Sequence, residues 1–92
     1  MVRTVLQLPS SLMQIVGGES AIEVEGETLR EALNDLVRQR PEVRVHLFDE
    51  TRQLRQNVLC LHGDFYCGRR DNLDVPLTPD TEIAIVQASS GG

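Results

Sequence analysis

Apolar and polar positions alternate from the start of the chain: Val2, Thr4, Leu6 and Leu8 fall on one face, Arg3, Val5 and Gln7 on the other. This period of two predicts a β-strand, closed by Pro9 and Ser10. Residues 11–16 are apolar but too few to define an element, and Gly17-Gly18 marks a turn. The glycine pair lacks the flanking spacing of a phosphate or dinucleotide loop and reads as a hairpin connection. Residues 21–25 alternate again, with Ile22 and Val24 inward and Glu23 and Glu25 toward solvent. They pair with the first strand as a hairpin.

The period then changes to that of a helix. Thr28 supplies an N-cap and Glu31, three residues on, completes a Thr-x-x-Glu capping box. Leu29, Ala32, Leu33, Leu36 and Val37 follow as the stripe of a core-facing helix. Glu31 and Asp35 near its start and Arg38 and Arg40 near its end suit the helix dipole, and Pro41 stops it. Beyond Pro41 the pattern fits two elements. Val43, Val45 and Leu47 alternate like a strand, whereas Pro41 at a first helical position with Val43 and Leu47 four apart suits a short helix, the preferred reading.

Residues 54–61 are apolar enough for a strand, and Asn57-Val58-Leu59-Cys60-Leu61 reads as buried on both faces. His62-Gly63-Asp64 turns the chain into Phe65-Tyr66-Cys67. A charged loop, 68–74, and a short bridge, Val75-Pro76-Leu77, lead to the Pro79-Asp80 turn signal and a last strand over residues 80–86. A single sheet with the capped helix packed on one face buries all these apolar stripes, an α+β arrangement. If the first and last strands are parallel neighbours joined through the helix, the architecture is a β-grasp, with residues 1–86 as the domain and 87–92 as a flexible tail.

Size and composition narrow the function. At 92 residues the chain makes one domain, and such a chain buries only about 60–65% of its unfolded surface, leaving little room for an internal active site. With 40% hydrophobic and 25% charged residues it is an ordinary globular chain, and with no Trp, one Tyr and two Phe its core is aliphatic. The net charge of −5 argues against nucleic acid and anionic membranes and favours a basic partner surface. All nine basic residues are Arg, which removes Schiff-base and P-loop lysine chemistry, and any side-chain amine for conjugation to itself. No apolar run reaches the ~20 residues that span a bilayer, and Met1-Val2-Arg3 does not begin a signal peptide, so a cytoplasmic location is expected. Two cysteines are too few for a disulfide framework.

The reactive group is expected at the end of the chain. Gln87-Ala88-Ser89-Ser90-Gly91-Gly92 has almost no side chain. Extended, these residues reach roughly 20 Å, enough to carry a terminal carboxylate into a partner's narrow site. Gly91 and Gly92 lack Cβ, fit a tight channel and leave the last carbonyl carbon open to attack.

Several stretches together resemble the ubiquitin-like sulfur carriers of the molybdopterin-synthase small-subunit and thiamin sulfur-carrier type. Thr28-Leu29-Arg30-Glu31-Ala32-Leu33 is similar to that family's helix start. Residues 57–64 resemble its central strand and turn, residues 73–83 the run into its last strand, and Gly91-Gly92 its terminus. His62 stands where the family usually has Asn, Thr78-Pro79-Asp80-Thr81 lacks the Gly often found in that turn, and both look like turn substitutions. The approach to the terminus, Gln87-Ala88-Ser89-Ser90, is more polar than the family's. The resemblance implies a β-grasp carrier that is not itself an enzyme and binds no cofactor. An E1-like activating enzyme would use ATP to adenylate Gly92, and a sulfur donor would convert it to a thiocarboxylate for a downstream sulfur-accepting enzyme of molybdopterin or cysteine biosynthesis. Gly92 would carry the sulfur, Gly91 would give conformational freedom, and Ala88, Ser89 and Ser90 would thread the channel. Such a carrier is a monomer when free.

Other chemistry is thinner. Cys60 and Cys67 fall on one face of a hairpin, opposite or diagonal, where they could approach disulfide distance, and two quiet thiols are the preferred reading. Adding His62 gives three ligand types without Cys-x-x-Cys spacing or a fourth ligand, so no metal site is expected. His46 reads as a surface residue, and Ser89 and Ser90 have no Asp/His support for nucleophilic catalysis. Arg52, Arg55, Arg69 and Arg70 could form a basic patch, and Glu19, Glu23, Glu25 and Glu27 a solvated acidic face. Two alternatives to the carrier stand: a protein modifier joined to target lysines through Gly92, and a small binding module with an incidental tail.

Overall fold

The computed structural model describes residues 2–69 and 71–87. The elements run β1 (Val2–Gln7), α1 (Ser10–Met13), β2 (Ala21–Gly26), α2 (Leu29–Gln39), a 3-10 turn (Pro41–Val43), α3 (Arg44–Leu47), β3 (Val58–His62), β4 (Phe65–Cys67) and β5 (Ile83–Gln87). The sheet order is β2-β1-β5-β3-β4. β1 and β2 pair antiparallel from Val2 opposite Gly26 to Gln7 opposite Ala21. β1 and β5 are parallel, with Leu6 opposite Ile83, while β5 runs antiparallel to β3 and β3 to β4. First and last strands are therefore parallel neighbours at the middle of the sheet, as the β-grasp reading requires.

The alternation of β1 and β2 sends Leu6, Ile22 and Val24 to the inner face, where α2 covers them with Leu29, Ala32, Leu33 and Leu36. Val43 and Leu47 are buried while Val45 is exposed, the spacing of a helix rather than a strand, and the 3-10 turn and α3 confirm the short-helix reading of this segment. The cap of α2 forms with one displacement. Thr28 Oγ1 accepts from Glu31 N–H at 3.2 Å, but Glu31 Oε1 accepts from Glu27 N–H at 2.9 Å rather than from the N-cap residue. The bridge before the last strand supplies the other partners that a helix start needs. Leu29 N–H donates to Val75 O at 2.9 Å and Arg30 N–H to Leu73 O at 2.8 Å, while Leu77 N–H reaches Glu27 O at 3.0 Å.

Four sequence readings are corrected. The β1–β2 connection is longer than a hairpin turn, because residues 8–20 include the one-turn helix α1 before Gly17 and Gly18, both at positive φ. Residues 57–61 are buried on one face, not two: Val58 and Cys60 point into the core, but Leu59 is exposed and Leu61 half-buried. The described helices form one layer, which can cover only one side of a sheet. His62 is not a turn residue; it ends β3 and is buried. The last strand begins at Ile83 rather than at residue 80 and takes in Gln87, one residue into the segment expected to form the tail.

Candidate functional site

β5 is the middle strand of five, hydrogen-bonded to β1 on one side and β3 on the other. The last described residue, Gln87, lies opposite Val58 and its side-chain oxygen accepts from Ser11 Oγ. The segment that would carry the chemistry thus follows directly on the central strand of the sheet. Ala88, Ser89, Ser90, Gly91 and Gly92 themselves lie outside the described residues.

Beside that departure point the outer face of the sheet is apolar. Register places Leu59 against Val86, and Leu61 between Ala84 and Tyr66, on three adjacent strands. Leu59 is 37%, Val86 41% and Tyr66 66% exposed, and Leu61 and Ala84 are half-buried. Phe65, at the hairpin tip, is exposed as well but lies opposite His62, on the other face of the hairpin. Contiguous exposed apolar side chains of this kind mark interaction surfaces. Sequence reasoning missed this surface because it treated β3 as fully buried; the signal available was that one amphipathic helix cannot cover both faces.

The turn into β5 is held by His62. Its Nε2 accepts from Thr78 N–H at 2.9 Å while Nδ1 faces Glu82 O at 3.4 Å, so a neutral ring with its proton on Nδ1 serves both backbone groups. Thr81 N–H closes the turn on Thr78 O at 3.2 Å. Asp80, at φ 64, occupies the position in this turn that favours glycine. Thr4 Oγ1 donates to Thr81 O at 2.6 Å from the neighbouring strand. Imidazole, turn and strand together fix where β5 enters the sheet.

Cys60 and Cys67 are directly opposite in the β3–β4 register, both buried and both free. Burial, with the Cys67 thiol beside it, pushes the Cys60 thiol up to about 12. Burial and then Asp71 raise Cys67. Neither is a ready thiolate, which agrees with the reading of quiet thiols. Among the described residues no three His, Cys, Asp or Glu side chains converge as metal ligands.

The four arginines read as one patch divide. Arg69 pairs with Asp49, whose carboxyl is held well below its usual range by the Thr51 hydroxyl and by Arg69. Arg55 donates to Val45 O at 2.7 Å, Arg52 lines a separate groove, and Arg70 is outside the described residues. Glu19, Glu23, Glu25 and Glu27 are exposed as expected, though Glu19 pairs with Arg40 and both Glu23 and Glu25 with Arg3. His46 is exposed.

The family model of the ThiS family matches residues 6–92. The chain belongs to the ThiS family. Solved structures agree with this ThiS-family fold at low sequence identity. SAMP1 from Haloferax volcanii superposes with a TM-score of 0.83 at 20% identity, over 98% of this chain and 99% of that one. A chain of the Amycolatopsis orientalis BexX/CysO complex gives 0.81 at 21%, over 97% and 99%. CysO from Mycobacterium tuberculosis gives 0.80 at 20%, over 92% and 98%. No curated protein sequence matches the chain. The β-grasp of this ThiS-family protein is thereby shown from topology and from likeness alike, and no described helix is long and apolar enough to cross a membrane.

Proposed function

We propose that this protein is a cytoplasmic sulfur carrier that bears the sulfur as a thiocarboxylate on Gly92. The family match running through Gly91 and Gly92 carries the proposal. A carboxylate is a poor acyl donor. An E1-like partner using ATP joins it to AMP with loss of pyrophosphate, and a sulfur donor then displaces AMP at the carbonyl carbon, leaving C(=O)S⁻. The nucleotide site and catalytic groups belong to the partner; this chain contributes a handle and an acyl end. The handle is the apolar outer face around Leu59, Tyr66 and Val86, beside the strand that leads to the tail. Gly91 and Gly92 enter the partner's channel, preceded by Ala88, Ser89 and Ser90.

Intact-mass analysis of protein from its native host tests this directly, with one terminal oxygen replaced by sulfur as the expected product. In reconstitution with the activating enzyme, ATP and sulfide, Gly92→Ala impairs loading and deletion of Gly92 abolishes it. Normal thiocarboxylate formation by the deletion variant overturns the proposal. The likeness to SAMP1, described as a small archaeal modifier protein, supports a second reading, in which Gly92 is joined to lysines of other proteins. Heavier conjugates on an immunoblot of host extract separate the two, since a pure carrier gives none.

A further inference from the structure

A groove of about 310 Å³ opens on the helix side of the sheet, away from the apolar outer face. It is lined by Asn34 and Val37 of α2, Arg44 of α3, Phe48 and Arg52. Most described arginines are matched by carboxylates: Arg3 by Glu25, Arg30 by Asp74, Arg38 by Asp35, Arg40 by Glu19 and Arg69 by Asp49. Arg55 donates to a carbonyl. Arg44 and Arg52 form no ion pair among the described residues, although the chain carries a net charge of −5, and both line the same groove.

Arg52 is held there by its loop. Its backbone sits at φ 66, a region that arginine adopts rarely. Asp49 imposes it: Oδ1 accepts from Thr51 N–H at 2.8 Å, Thr51 Oγ1 at 2.6 Å and Gln53 N–H at 3.2 Å, while Arg52 N–H donates to Asp49 O at 3.0 Å. The Phe48 and Leu54 bridge closes the loop at its base. The rest of the lining is partly apolar, from half-buried Val37 and Phe48.

We propose that this groove docks an acidic segment of a partner protein, an Asp or Glu carboxylate pairing with Arg44 and Arg52 and an adjacent apolar side chain covering Val37 and Phe48. Guanidinium and carboxylate pair bidentately, and that pairing is strongest where apolar surface around it excludes water. A bare phosphate would use the two cations and leave the apolar floor uncovered. The groove and the outer sheet face lie on opposite sides of the sheet, so one partner can hold the acidic segment while another holds the sheet. The proposal does not rest on chemistry at Gly92.

Titration of the ¹⁵N-labelled protein with a capped Gly-Glu-Leu-Glu-Leu-Gly peptide tests it, alongside the Gln-for-Glu analogue and inorganic phosphate. Saturable shifts at Asn34, Arg44, Phe48 and Arg52 with the acidic peptide alone are expected. The double variant Arg44→Gln with Arg52→Gly should bind it roughly tenfold more weakly or worse. Glycine suits the positive φ at residue 52, so the variant keeps its fold and its unperturbed spectrum elsewhere serves as the check. No saturable shift, binding indifferent to the double substitution, or equal response to phosphate or the neutral peptide each overturns the proposal.

Discussion

The β1–β2 and β3–β4 hairpins flank β5 from opposite sides, and their surfaces have been finished in opposite ways. β2 is an edge strand, and two of its outward backbone groups are taken by α2: Glu25 N–H donates to Asp35 Oδ2 at 3.0 Å, and Gln39 Nε2 donates to Glu23 O at 2.8 Å. Its outer face is charged, with Arg3 within 2.8 Å of Glu25 and 3.7 Å of Glu23. The β3–β4 hairpin presents Leu59, Leu61 and Tyr66 outward and ends in a three-residue edge strand. An edge partly covered by helix side chains and carrying a charged face resists association; an apolar face invites it. One half of the sheet is closed and the other presents apolar surface, with the central strand β5 between them.

Substitutions should therefore cost stability on the first hairpin and docking on the second. The largest loss of stability is expected from Gly26→Ala. A Cβ there would stand 2.7 Å from Glu31 Cβ and 2.9 Å from Ala32 N, where β2 passes beneath the start of α2. Backbone cannot step aside as a flexible side chain can, and overpacking of this kind costs about 3 kcal/mol. Urea unfolding should show the midpoint fall with an unchanged slope.

Asp35→Ala comes next. Asp35 is buried and accepts from Glu25 N–H, Gln39 and Arg38. Removing it leaves the part-buried Glu25 N–H without its acceptor and a gap under α2, at about 2 kcal/mol, or roughly 8–16 °C in midpoint for a domain of this size. Burial alone would raise the Asp35 carboxyl, but the Glu25, Arg38 and Gln39 hydrogen bonds outweigh it and the net shift is downward. A lowered folded value means stability that is present above the ordinary carboxylate range and lost as the pH falls through the folded value. Asp35→Asn should flatten this acid dependence, measured as the difference in unfolding midpoint between wild type and variant from neutral to acid pH. An unchanged acid limb would separate Asp35 from the effect.

His62→Ala tests the inner side of the second hairpin, with a smaller expected cost of about 1.5 kcal/mol, from the unpaired Thr78 N–H and the space left behind. Here the limits of sequence reading are physical. The helix stripe, the strand alternation and the Thr28 cap were legible because each depends on residues close in sequence. Asp35 and His62 were not, because their partners lie 10 and 16 residues away, Glu25 N–H for one and Thr78 N–H for the other. An Asp flanking the stripe of Leu29, Leu33 and Leu36 could have been suspected. The partner that made it useful could not. The outer apolar face was hidden for a related reason: which side of β3 the helix covers is decided by register with β5, not by β3's own residues.

The smallest effect on stability is expected where the effect on function is largest. Tyr66 and Val86 lie on the outer face, 66% and 41% exposed, so neither contributes much to the core. Threonine keeps the β-branched backbone preference of a strand while removing apolar area. Tyr66→Thr with Val86→Thr should stay within about 0.5 kcal/mol of wild type by urea unfolding. Truncating central apolar anchors should nonetheless weaken binding to the proposed activating enzyme roughly tenfold or more, measured by calorimetry. The matched Arg3→Gln change on the charged half should alter neither. Equal affinity for wild type and the double variant would mean that the apolar half of the sheet is not the docking side, leaving recognition to the tail or to the opposite face.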